Sequence, residues 1–182
     1  MTVERAGLRG VVLAEDKRTE RFFRCLLGEL GFSTRRFRFV TAPSGKGAGD
    51  AFVARRYAGE VRALRSKNYQ KGLRLIAVRD EDGLGIERRK RELDQVLEDS
   101  KNDPRKFAEN IATPVPARNI EAWLLALIGE KTDESADWKQ DFERRYRDRE
   151  REVLRQAAAN WHRLDGAPPS LQDGRDEMRR IE

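Results

Sequence analysis

Apolar positions along this chain alternate between two periods. Residues 8–14, LRGVVLA, form a short run rich in branched side chains, which predicts a strand. The next stretch, EDKRTERFFRCLLGELG, places Phe22, Leu26 and Leu30 on one helical face with Phe23 and Leu27 beside them, and Gly31 suits its C-terminal cap. RRFRFVTA alternates Phe37 and Phe39 with arginines and reads as a second strand; PSGKGAG is a loop. DAFVARRYAGEVRALRSK predicts a helix with Val53, Tyr57, Val61 and Leu64 facing inward. GLRLIAV is a third strand, and GIERRKRELDQVLEDS a helix with the thin stripe Ile86, Leu93, Val96 and Leu97. FAENIATPVP holds a fourth short strand, limited by Pro114. Asn119 then caps IEAWLLALIG, the most apolar helix of the chain.

Strand and helix in strict alternation predict an α/β fold: a mainly parallel four-stranded sheet with helices on both faces. The character changes near Gly129. EKTDESAD reads as a polar linker, and residues 138–163 as a long charged helix with Trp138, Phe142 and Tyr146 on one side. The end, DGAPPSLQDGRDEMRRIE, carries weak signals that suit a mobile terminus. The division expected is therefore residues 1–130 as an α/β domain and 131–182 as a charged helical extension.

Composition narrows the chemistry. The 182 residues carry 38 bases and 32 acids, a net charge of +6, which favours an anionic partner such as nucleic acid. One cysteine, Cys25, and one histidine, His162, exclude a disulfide framework and sites built on several Cys or His ligands. No run approaches the ~18 apolar residues that span a bilayer, and the N-terminus has no signal-peptide core. A soluble, cytoplasmic protein is expected. Arg55, Arg56, Arg62 and Arg65, and the block Arg88–Arg91, suit phosphate backbones or simply solvated helix faces. Between 139 and 155, seven bases interleave with five acids, which favours intrahelical ion pairs over a nucleic-acid groove.

The stretch RLIAVRDEDGLG carries the candidate site. In a parallel α/β sheet, function gathers at the carboxyl ends of strands. Strand one ends at Glu15, with Asp16 next; strand three is expected to end at Asp80, followed by Asp82; Glu121 lies in the first turn of the helix after strand four. If strands one and three are neighbours, Glu15, Asp80 and Asp82 converge. On a strand, the i, i+2 spacing points Asp80 and Asp82 the same way. Such a set suits Mg²⁺ or Mn²⁺, hard cations that take oxygen ligands and keep several waters. The competing account is a solvated turn, since Asp and Gly are ordinary turn residues. Glu121 either assists a metal or complements its helix dipole. APSGKGAGD lacks the leading glycine and trailing hydroxyl of a phosphate-binding P-loop, leaving Lys46 as a candidate phosphate contact on a flexible loop.

This pattern resembles the Toprim domain of topoisomerases, bacterial primases, recombination mediators and OLD-type nucleases, which has a glutamate after its first strand and D-x-D after its third. Glu15, Asp80, Asp82 and Gly85 match those positions over residues 8–128, although Asp16 stands where the family often has glycine. PARNIEAWLLAL is similar to a segment of small stand-alone Toprim-like proteins, some of which accompany phage-defence genes. The resemblance implies a Rossmann-like Toprim fold and metal-dependent nuclease chemistry on DNA or RNA. Glu15, Asp80 and Asp82 would be metal ligands, with Glu121 and Lys46 assisting. By family analogy, it also allows an ATPase or other protein partner. Two other readings remain. One is a non-catalytic subunit that keeps the fold. The other is a receiver-like phosphoacceptor domain, with Glu15 and Asp16 as its acid pair and Asp80 as acceptor, which requires a fifth strand ending in a lysine, whereas no strand is read after Gly129.

Overall fold

The computed structural model of the chain describes residues 5, 7–43, 49–67, 72–163 and 165–182. Four strands, β1 (Arg9–Ala14), β2 (Phe37–Thr41), β3 (Leu73–Ala77) and β4 (Ile111–Ala112), form one sheet in the order β2-β1-β3-β4, and every pairing is parallel. The helices are α1 (Lys17–Glu29), α2 (Gly49–Ser66), α3 (Ile86–Asp99), α4 (Ile120–Leu127), α5 (Lys139–Tyr146), α6 (Glu150–Ala159) and α7 (Pro169–Arg179). This is a Rossmann-like α/β architecture, as the alternation of periods predicts.

Successive strand residues project to opposite faces, and each face has its own core. Val12, Ile76 and Ala112 join the larger cluster with Phe22, Trp123, Leu154 and Leu171; Leu13, Leu75 and Ala77 join the smaller one with Val53, Tyr57 and Leu93. The central strands are thus covered on both sides, which explains why they read as continuous apolar runs rather than alternating ones. Every residue of α4 is buried, as befits a helix apolar all round. Gly31 adopts φ +86°, and the chain leaves α1 through paired bonds from Gly31 N to Gly28 O and Phe32 N to Leu27 O, a Schellman closure.

Two expectations are corrected here. The stretch 138–163 is not one helix: a 3₁₀ turn at Arg147–Arg149 separates α5 from α6, so that Phe142 and Tyr146 on one, and Val153, Leu154 and Ala157 on the other, reach the same core. The C-terminal segment is not loose either. Leu171, Met178 and Ile181 are fully buried, and Trp123 Nε1 donates to Ser170 Oγ at 2.7 Å. The helices after Gly129 therefore complete the larger core. Gly174 of α7 lies against the Trp123 ring so closely that an added Cβ would stand 2.2 Å from it.

Candidate functional site

Parallel pairing of β1 with β3, in the register Leu13 to Ala77, brings the two strand exits side by side. β3 ends earlier than expected, at Ala77, but its backbone continues between its neighbours: Val78 N donates to Leu13 O, and Glu81 N to Pro116 O at 2.9 Å. Asp80 thus sits in the middle of the carboxyl edge of the sheet, only 3% exposed. Burial, reinforced by the charges of Glu15, Asp16 and Glu121, drives its carboxyl well above the usual carboxylate range; Lys139 opposes this with Nζ 3.6 Å from Oδ2. No side-chain or backbone hydrogen bond reaches the Asp80 carboxylate among the described residues.

The acids of RDEDG separate into three roles. Asp80 turns inward. Glu81 accepts from Gly83 N at 2.7 Å, from Gly85 N, and from Arg118 N at 3.3 Å, and those backbone donors overcome partial burial to hold its carboxyl below the usual range. Asp82, at φ +52°, points to Arg89, whose Nη2 lies 3.0 Å from Oδ2. Asp80 and Asp82 are not on a strand, so the i, i+2 rule does not align them: the Asp82 carboxylate is paired with Arg89, though its charge still acts on Lys139 beside Asp80. Gly83 and Gly85, at φ +80° and +89°, make the turn.

Glu15 and Glu121 are brought to the site. Glu15 lies at the end of β1, with Arg79 Nε 3.9 Å from its Oε1. Asp16 caps α1 by accepting from Thr19 N at 2.8 Å. Glu121 is 1% exposed; Oε1 takes Arg18 Nη1 at 2.6 Å, and Oε2 has no hydrogen-bond partner. Burial raises the Glu121 carboxyl above its usual range, against the pull of Arg18. Asn119 occupies the N-cap position of α4, but its side chain donates to Asp137 Oδ1 at 2.8 Å instead of capping. Lys46 lies outside the described residues. Asp16, Arg18, Glu121 and Lys139 line an open cavity of about 720 Å³.

Two cations here escape sequence reasoning. Arg18 binds Glu121, Glu143 and Glu150 at 2.6, 2.6 and 3.0 Å and lies over the Phe142 ring. Burial works against the charge of Lys139, but Asp80 and Glu121 outweigh it and hold the ammonium above its usual range. Their signal was present: both stand in the first turn of a helix, where the dipole disfavours a cation. A base in that position calls for an acid from elsewhere.

The donor set is all oxygen and acidic, which suits a hard cation. Among the described residues, no group of three acidic, His or Cys side chains is placed to hold one ion. Glu15 and Asp80 with water fit the sparser shell of Mg²⁺, which commonly takes one or two carboxylates and leaves the rest to water and substrate phosphate. No described helix is long and apolar enough to cross a membrane. Comparison with protein-family models, curated proteins and solved structures finds no match to this chain.

Proposed function

We propose that this protein is a cytoplasmic, Mg²⁺- or Mn²⁺-dependent nuclease of Toprim-like type, hydrolysing phosphodiesters of DNA or RNA. A place in phage defence and an ATPase partner fit that reading. The observation that carries it is the buried Asp80 carboxylate, set among Glu15, Asp16 and Glu121, with Lys139 as its one ion-pair partner among the described residues. A buried carboxylate among like charges is costly, and a divalent cation held by Glu15 and Asp80 would offset that cost. When bound, the ion supplies an acidified water and a positive charge beside the scissile phosphate.

The residues of the chain divide the remaining work. Glu121, whose proton affinity burial has raised, offers Oε2 as a base for the attacking water. Lys139, held protonated by its acidic neighbours, is the acid nearest Asp80 and can protonate the leaving oxygen. Arg18 fixes Glu121 in place. Water adds to phosphorus, one ester P–O bond breaks, and the proton lost by water is balanced by the one the leaving oxygen gains. Asp82, paired to Arg89, has no part in this scheme.

The test is cleavage of supercoiled plasmid, single-stranded DNA and RNA with Mg²⁺ or Mn²⁺. Cleavage should vanish in EDTA and in Asp80→Asn and persist in Asp82→Asn; cleavage that survives Asp80→Asn overturns the proposal. A second reading has one observation in its favour. Lys139 places a lysine beside Asp80, although from helix α5 and not from the fifth strand that a receiver-like phosphoacceptor would use. Labelling of Asp80 by acetyl phosphate, absent in Asp80→Asn, would select it. Inertness in both assays until a protein partner is added would select the non-catalytic subunit.

A further inference from the structure

Helices α1 and α6 pack side by side, and the seam between them opens into a groove of about 600 Å³ lined by Arg21, Arg24, Arg147, Arg151 and Arg155. Two acids share it, Asp148 and Glu150. Glu150 is already taken: Oε1 accepts from Arg21 at 2.9 Å and Oε2 from Arg18 at 3.0 Å. Arg151 and Arg155, one helical turn apart on α6, are exposed and have no acid within ion-pair distance among the described residues. Arg24 lies over the Phe39 ring, 3.8 Å from its centroid, and pairs with Glu20 at 3.1 Å. From the chain alone these arginines belong to a mixed-charge helix whose ions cancel. In the fold, Arg21 pairs with Glu150, Arg24 with Glu20 and Arg147 with Glu143, so that Arg151 and Arg155 carry the unpaired positive charge of the groove among the described residues.

We infer that the α1–α6 groove binds a nucleic-acid backbone and leads it to the acidic site. Guanidinium groups bind phosphates through forked donors that do not deprotonate. The groove has no exposed aromatic for base stacking, so recognition is by backbone and without sequence preference. A protein partner is a poorer fit, because stable protein interfaces have apolar centres depleted of charge, whereas the apolar side chain here, Leu154, is buried. Glu150 connects the two regions: its carboxylate joins Arg21 of the groove to Arg18, which holds Glu121 of the site. In naming where the substrate lies, this inference rests on the nucleic-acid reading proposed above.

The test separates binding from cleavage. A fluorescein-labelled single-stranded oligonucleotide of about 20 residues is titrated with full-length protein in EDTA, and anisotropy is followed across salt concentrations. Arg151→Glu/Arg155→Glu should weaken binding about tenfold or more and flatten the dependence of log K on log salt by about 1.4, near 0.7 per lost phosphate contact. The charge-matched control Lys101→Glu/Lys131→Glu, at two exposed lysines outside the groove, should bind like wild type, as should Asp80→Asn, so loss of catalysis and loss of binding are read separately. Cys25, the single cysteine, lies partly buried in the groove and gives a readout that needs no substitution. Saturating oligonucleotide should slow its modification by a thiol reagent severalfold. Equal loss in both double variants, unchanged Cys25 reactivity, or displacement of the oligonucleotide by polyglutamate at equal charge concentration overturns the inference.

Discussion

Replacing Arg18 by methionine isolates the electrostatics that hold the site together. Methionine keeps an unbranched stem to pack over Phe142, so the change removes charge more than volume. The three ion pairs differ in weight. Glu143 is 41% exposed at its side chain and retains Arg147 at 2.8 Å, and Glu150 retains Arg21; exposed pairs contribute about 0–1 kcal/mol. Glu121 is 2% exposed at its side chain, and its only ion-pair partner among the described residues is Arg18. Breaking a buried pair by deleting one partner costs about 3–5 kcal/mol. The loss should fall at the low end, about 3 kcal/mol, because Glu121, its carboxyl already raised by burial, can protonate instead of staying charged. That is about 6–12 °C in Tm for a chain of this size. Protonation relieves the orphaned carboxylate, so the penalty should shrink as pH falls from 8 to 5. Urea unfolding of wild type, Arg18→Met and Arg18→Met/Glu121→Gln at pH 5 and 8 tests this, since removing both partners leaves no buried charge and should recover most of the loss. A single variant that loses less than about 1 kcal/mol at both pH values, or a double variant no more stable than the single, refutes the reasoning.

Two further predictions concern the C-terminal helix. Glu177, bound by Arg105 at 2.5 Å and by Thr113 N at 2.9 Å, is held at a pKa of about 2, although burial alone would raise it. A folded value below the unfolded one means its stabilisation is complete above about pH 4.5 and is lost as pH falls toward 2; Glu177→Gln should cost about 3 kcal/mol at pH 7 and flatten the acid limb of a Tm-versus-pH curve. Gly174→Ala would stabilise an ordinary exposed helix by up to about 1 kcal/mol, but here the new methyl meets the buried Trp123 ring, and a loss of about 1–3 kcal/mol with altered tryptophan fluorescence is expected.

What the sequence made legible follows from the range of the interactions involved. The β-strands and most helices were readable because their signals repeat within one element, whereas the neighbouring of β1 and β3 stood as a condition until the sheet order supplied it. Glu15, Asp80 and Glu121 were found because each ends or follows a strand on the same edge. The reading of Asp82 rested on strand geometry two residues beyond Asp80, whereas β3 stops at Ala77 and a left-handed residue turns the chain. Glu81 was overlooked as the residue that fixes this turn, because its donors include Arg118, 37 positions away. Arg18 to Glu121 spans 103 positions, and Lys139 reaches Asp80 from a different helix. Pairing over such distances leaves no local period; only the misplaced sign of charge at two helix N-termini hinted at it. The packing of α6 and α7 was hidden similarly, since the stripes of Val153, Leu154, Ala157 and Ala158 on one and of Leu171, Gly174 and Met178 on the other look thin until Trp123 and Trp161 pack beside them.

The central claim is that Glu15 and Asp80 hold a divalent cation, and titration with Mn²⁺ followed by electron paramagnetic resonance addresses it most directly. Wild-type protein should bind Mn²⁺ at one saturable site that Mg²⁺ displaces. Asp80→Asn should abolish the site, Glu15→Gln should weaken it at least tenfold, and Asp82→Asn should leave it unchanged. Equal Mn²⁺ binding by wild type and Asp80→Asn, or no saturable binding by either, would contradict the account.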